Sequence, residues 1–216
     1  MHLGEENCFL DLITGAIATE LRQRLLRYAP KSAIDLGCGI GTTLVCLHYA
    51  LGVDHLEGLE LQSEAAILSC YNKDAQSEGK QEFNSVDECW LSVTTDPTDV
   101  RPRITDPKQF RGLLNVSFAS PIGTHEFGRD RYDIIIMSNV LHYLDGHNID
   151  HAFYQIRRHS NEQSLIYLSI KDGFEGSKLS SEELLRHCRS FAVERGLTEY
   201  GPRASNQGKA YTFTNI

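Results

Sequence analysis

Residues 33–43 read A-I-D-L-G-C-G-I-G-T-T: a short apolar run, one acid, then a glycine at every second position. The run at 33–36 reads as a short strand, and helical spacing resumes at 42–51. The glycines therefore stand at a strand-to-helix turn. Such turns take ligands in α/β sheets, although glycine also serves there simply to bend the chain. Spacing narrows the choice. A phosphate loop needs G-x-x-x-x-G-K-[ST], and no lysine follows these glycines. A dinucleotide loop needs G-x-G-x-x-G, whose third glycine is replaced by Thr42 counting from Gly37, or by Leu44 counting from Gly39.

Working outward, apolar residues recur at helical spacing over 7–28, and Pro30 ends that helix. The stretch 55–61 (H-L-E-G-L-E-L) reads as a second strand, and Ser63 followed by Glu64 starts a helix to about residue 73. Residues 74–112 break the rhythm: prolines stand at 97, 102 and 107, acids crowd the first half, and the single tryptophan is Trp90. An irregular connection of that length is functional, partly folded or mobile, and it is either a tolerated surface excursion or a substrate lid. Strands follow at 113–118 and 131–138, the latter apolar enough to be buried on both faces. A helix at 149–159, a strand at 164–170, a helix at 180–195 closed by Gly196, and a strand at 210–213 complete the pattern. Alternating strands and helices predict an α/β fold: a doubly wound, mostly parallel Rossmann-like sheet with helices on both faces, its ligand crevice at the carboxyl ends of the strands. No composition shift divides the 216 residues, so one domain is expected over 1–216.

Apolar residues make up 41% of the chain and charged residues 23%, and the net charge is −8. That charge argues against a general nucleic-acid binder, whose affinity comes from basic contacts to phosphate. Six cysteines at 8, 38, 46, 70, 89 and 188 form no C-x-x-C pair and no zinc-finger spacing, so no metal is expected and the thiols are read as reduced. The first residues lack the basic start and apolar run of a signal peptide, and no apolar stretch approaches the roughly 20 residues that span a bilayer. A cytoplasmic location is the expectation.

The order Asp35-Leu-Gly37-Cys-Gly39-Ile-Gly41 resembles the first motif of class I S-adenosylmethionine-dependent methyltransferases. The resemblance implies a seven-stranded sheet, of which the residue pattern locates six strands. It implies S-adenosyl-L-methionine as cofactor, with Gly37, Gly39 and Gly41 letting the backbone approach and Asp35 organising the loop or facing the cofactor amine. G-L-E-L resembles the second motif. Glu60, nineteen residues after Gly41, would accept from both ribose hydroxyls, with Leu61 beside it. Glu57 competes, but strand alternation places it on the other face. R-Y-D-I-I-I-M-S-N-V-L-H-Y-L, residues 131–144, resembles the fourth motif. Asn139 would position the cofactor's methionine end or cap the next turn, and His142 or Tyr143 would be the base, if His142 is not simply a packed histidine. Relatives often carry an acid after the third strand for the adenine amino group. Here Ser120 stands in that stretch and no carboxylate does.

Methyl transfer from a sulfonium is an in-line displacement, so the protein mainly aligns the reactants and supplies a base where the acceptor must lose a proton. The expected reaction carries the methyl to an O, N or S atom of a small-molecule or peptide-sized acceptor. The N-P-P-Y or D-P-P-Y stretch of amino-methylating enzymes of DNA bases is replaced by Ser138-Asn139-Val140-Leu141, which speaks against nucleic-acid acceptors. The alternative is a non-catalytic S-adenosylmethionine-binding subunit or sensor with the same fold. An aminopropyl transferase is a weaker option, since Asp145 is the only acid close to the fourth motif.

Overall fold

The computed structural model describes residues 27–77, 79, 82–88, 114–121, 127–171, 176–205 and 208–215. Of the helix expected at 7–28, only Arg27 and Tyr28 fall among these, and both are helical. Cys8, Cys89, Trp90 and most of the 74–112 stretch lie outside the described residues, as do residues 172–175.

Seven strands form one sheet: β1 (Ser32–Leu36), β2 (His55–Leu59), β3 (Leu114–Ser117), β4 (Ile134–Ser138), β5 (Leu165–Lys171), β6 (Thr198–Ser205) and β7 (Gly208–Thr214). Their order is β3-β2-β1-β4-β5-β7-β6. All neighbouring pairs from β3 to β5 are parallel, and β7 runs antiparallel to both β5 and β6. The order reverses between β1 and β4, so the crevice opens at the carboxyl ends of those two strands.

Among the described residues, four helices of ten or more residues cover the two faces. On one, α1 (Thr42–Leu51) and α2 (Glu64–Ser77) pack through Leu44, Leu47, Ile67 and Tyr71 against Ala33, Leu56 and Ile134. On the other, α3 (Gly146–His159) and α4 (Ser181–Arg195) pack through Phe153, Ile156, Leu184 and Phe191 against Ile34, Ile135 and Met137. The run Ile134–Met137 feeds both cores alternately, which is why it reads as continuously apolar. Local signals set the helix ends. Asp145 caps α3 by accepting from Asn148 N–H at 2.9 Å, Ser180 and Glu183 form a capping box at α4, and Gly196 closes α4 in the left-handed conformation.

The structure sharpens three expectations. The helix after β2 runs on to Ser77, so residues 74–77 are not part of an irregular insert. The stretch beyond it is partly folded, the alternative that gives it structure of its own. Asn72 and Phe83 exchange two hydrogen bonds, at 2.7 and 2.9 Å, and Val86 is buried in the core under α2. The seventh strand, β6, sits at the sheet edge with Gly201 and Pro202 at an irregularity in its pairing, the position a proline tolerates.

Candidate active site

The loop from Leu36 to Thr42 turns across the end of β2. Gly37 and Cys38 both donate their backbone N–H to Leu59 O, at 2.7 and 3.0 Å, and Gly41 N–H closes a turn on Cys38 O at 2.8 Å. Gly37, Gly39 and Gly41 have φ of 90°, 56° and 85°, the left-handed region that side chains rarely enter. At Gly37 the protein's own packing also forbids a side chain, and at Gly41 it crowds one. A Cβ on Gly37 would lie 2.4 Å from Val140 Cγ2, and one on Gly41 would lie 2.9 Å from Leu114 Cδ2. The bare surface of Gly37 is thus filled by Val140, a reason internal to the fold and different from room for a ligand.

Glu60 follows β2 directly, and its carboxylate is buried and held at both oxygens. Oε2 accepts from Gly39 N–H at 2.9 Å, and Oε1 accepts from Gln62 N–H at 2.9 Å. Glu57 is also buried but is engaged elsewhere, accepting from the Tyr132 hydroxyl and from Gly128 N–H. The loop after β3 is stitched to the same edge: Ala119 N–H donates to Gln62 O at 2.9 Å, and Ser120 N–H to Glu60 O at 3.0 Å. Leu61 packs against the α3–α4 core. Asp35 is buried at the end of β1.

After β4, Asn139 takes φ 55° and donates its N–H to Ser169 O at 3.1 Å. Asparagine is among the few residues that enter this region readily. A single 3₁₀ turn, Leu141–Tyr143, follows. The crevice therefore gathers Asp35, the three glycines, Glu60, Ser120 and Asn139 on the carboxyl edge of β1 to β4.

The sequence profile of the family described as Methyltransferase domain matches residues 13–205. The chain belongs to that family. The fold is shared with solved methyltransferases at low identity. The methyltransferase domain of bacterial CtHen1 aligns at 12% identity over 90% of this chain and 94% of its own, with a TM-score of 0.51. N-methyltransferase NodS from Bradyrhizobium japonicum WM9 aligns at 12% identity over 94% and 97%, with a TM-score of 0.50. No curated protein matches the sequence.

In this methyltransferase the base role expected of His142 does not fit the geometry. The ring is 1% exposed, and its Nε2 accepts the backbone N–H of Lys171 at 2.8 Å. Burial pushes its pKa down to about 4, so the ring is neutral, and the Nε2 lone pair that would take a proton is engaged. His142 O meanwhile accepts from Lys178 N–H at 3.0 Å, so the residue ties two segments together. Tyr143 is 37% exposed. Burial and then the nearby Glu60 and Cys70 push its hydroxyl above the ordinary tyrosine range, so it stays protonated at neutral pH.

Sequence reasoning assigned no role to three residues of this edge. Gly58 leaves room under the loop, the Gln62 N–H holds Glu60, and Thr42 buries a hydroxyl at the start of α1. Gly58 was visible as part of G-L-E-L, whereas main-chain donors carry no sequence signal. Among the described residues no cluster of three His, Cys, Asp or Glu could hold a metal ion, and no helix is long and apolar enough to cross a membrane.

Proposed function

We propose that the protein binds S-adenosyl-L-methionine as a single domain and transfers its methyl group to an O, N or S atom of a small-molecule or peptide-sized acceptor. The observation that carries this is the Glu60 carboxylate, fixed at the end of β2 against the glycine loop. Each carboxylate oxygen accepts more than one hydrogen bond, so Glu60 keeps capacity for a ribose hydroxyl on each oxygen after its two backbone partners. Gly37, Gly39 and Gly41 shape the loop, Leu61 and Ser120 flank the adenine end, and Asp35 and Asn139 face the methionine end.

A second feature, independent of the motif, supports the cofactor. Thr42 Oγ1 is buried and has no hydrogen-bond partner among the described residues, and α1 starts without a side-chain cap and with no acid in its first turn. Leaving such a hydroxyl unpaired costs about 1–3 kcal/mol, which an anionic ligand group at the helix N-terminus would recover. The α-carboxylate of the cofactor is such a group.

When bound, the cofactor supplies an electrophilic methyl on a good leaving group. The chain's part is to hold that end between the glycine loop and the Asn139 turn and to align the acceptor. With His142 engaged and Tyr143 protonated, neither removes a proton from the acceptor. That favours acceptors that are already nucleophilic, such as a neutral amine or a thiolate.

Calorimetric titration with S-adenosylmethionine tests the binding, and release of S-adenosylhomocysteine over a panel of amine, thiol and hydroxyl acceptors tests the transfer. Binding with turnover on any of these acceptors supports the proposal, and faster turnover on an amine or thiol than on a hydroxyl is the expected pattern. Binding with no turnover on any acceptor would point to the non-catalytic subunit, and no binding overturns both.

A further inference from the structure

Residues 58–60 grip residues 37–39 of the glycine loop one after another. Leu59 O holds the N–H groups of Gly37 and Cys38, and the Glu60 carboxylate holds the N–H of Gly39. The third contact is steric. A Cβ on Gly58 would lie 2.5 Å from Cys38 Sγ, 3.1 Å from Cys38 Cβ and 3.2 Å from Leu44 Cδ1. The Cys38 thiol therefore fills the side-chain space that β2 leaves vacant. Gly58 is not among the residues with positive φ, so the main chain itself does not demand glycine there. What demands it is Cys38.

We propose that Cys38 is a positioning residue for the cofactor site: seated in the Gly58 gap, it fixes the height of the loop above β2 and holds the Gly39 N–H where it orients the Glu60 carboxylate. The inference rests on the proposed role of Glu60. Two hydrogen bonds to one carbonyl oxygen leave the loop able to pivot about Leu59 O, and the three glycines offer little stiffness of their own. A packed side chain on the far side of the pivot removes that freedom. Hydrogen bonds weaken steeply with misalignment, so a small tilt would cost Glu60 its Gly39 partner and the carboxylate its set direction.

The test reads Gly39 amide exchange in the ligand-free protein together with S-adenosylhomocysteine affinity. The variants are Cys38→Ala, Gly58→Ala, their combination, and each of these with Glu60→Gln. Cys38→Ala should speed Gly39 exchange and weaken binding, each by about tenfold, the scale of one charge-assisted hydrogen bond. Gly58→Ala should do more. The combination, which moves the lost sulfur's volume onto β2, should restore most of both. With Glu60→Gln already present, Cys38→Ala should change affinity by less than about twofold, because the group it positions is gone. Unchanged Gly39 exchange in Cys38→Ala, or an undiminished affinity loss in the Glu60→Gln background, overturns the proposal. Should Gly58→Ala fail to fold, the Cys38→Ala pair alone decides. Absence of binding in the parent protein would sink the proposed cofactor, while Gly39 exchange would still show whether Cys38 sets the loop.

Discussion

His142 accepts the backbone N–H of Lys171 through Nε2 at 2.8 Å, and this bond joins the turn after β4 to the end of β5. Its consequence is a pH dependence of stability. The folded protein holds His142 down at about 4, below the 6.5 of an unfolded histidine, so the unfolded chain binds more protons between those values. The full contribution is present above about pH 6.5 and is lost as the pH falls toward 4, by a few kcal/mol at most. Urea denaturation at pH 7 and pH 5 should show this fall. A His142→Gln variant should lose one proton's share of the slope while keeping an acceptor for Lys171 N–H; an unchanged slope would mean that His142 is not the group titrating.

Glu60→Ala should weaken S-adenosylhomocysteine binding by about 2 kcal/mol, roughly thirtyfold, since a charge-assisted pair of bonds is lost. Calorimetry on the parent and the variant measures it. Equal affinities would remove Glu60 from the ribose site.

Thr42→Val should move two measurements in different directions. Replacing a buried hydroxyl that has no partner among the described residues by a methyl of similar shape should leave the ligand-free protein as stable or slightly more stable. Cofactor affinity should drop about fivefold or more if that hydroxyl pairs with the ligand. Thermal unfolding with and without S-adenosylhomocysteine gives both values, and equal ligand-induced shifts in parent and variant would take Thr42 out of the site.

Gly37→Ala should cost about 2–4 kcal/mol, because its φ of 90° and the 2.4 Å approach to Val140 Cγ2 both exclude a Cβ. Adding Val140→Ala should return only part of that loss, since the backbone conformation is unchanged. Full rescue in urea denaturation would show that Val140 alone sets the requirement for glycine.

Tyr132→Phe should destabilise the fold by about 2 kcal/mol, since the buried Glu57 carboxylate loses its hydroxyl donor. Cofactor affinity should hold, because Glu57 faces away from the loop that Glu60 serves. A large affinity loss would instead connect the two carboxylates.

The parallel half of the sheet was legible because each strand announces itself twice, by apolar content and by a following turn. Ala33–Leu36 with its glycines is the clearest case, and Ile134–Met137 reads as apolar throughout because it serves two cores. Strand β6 carries no such signal, since T-E-Y-G-P-R-A-S lacks alternation and holds a proline, and its pairing with β7 reveals it. Glu60 was readable as a candidate from spacing, but what holds it was not, because Gly39 and Gln62 act through main-chain N–H groups. His142 shows the converse limit. A histidine beside a ligand site looks the same in sequence whether its nitrogen points at a substrate or at a backbone amide, and burial decides which.

The stitching of Ala119 to Gln62 and of Ser120 to Glu60 is made wholly by peptide groups. Bonds of that kind survive a change of side chain. Under the proposed cofactor assignment this edge is the floor beneath the adenine end, and its geometry is set by the main chain, so cofactor analogues enlarged at the base are best accommodated by substitution at Gln62, with the glycine loop left untouched.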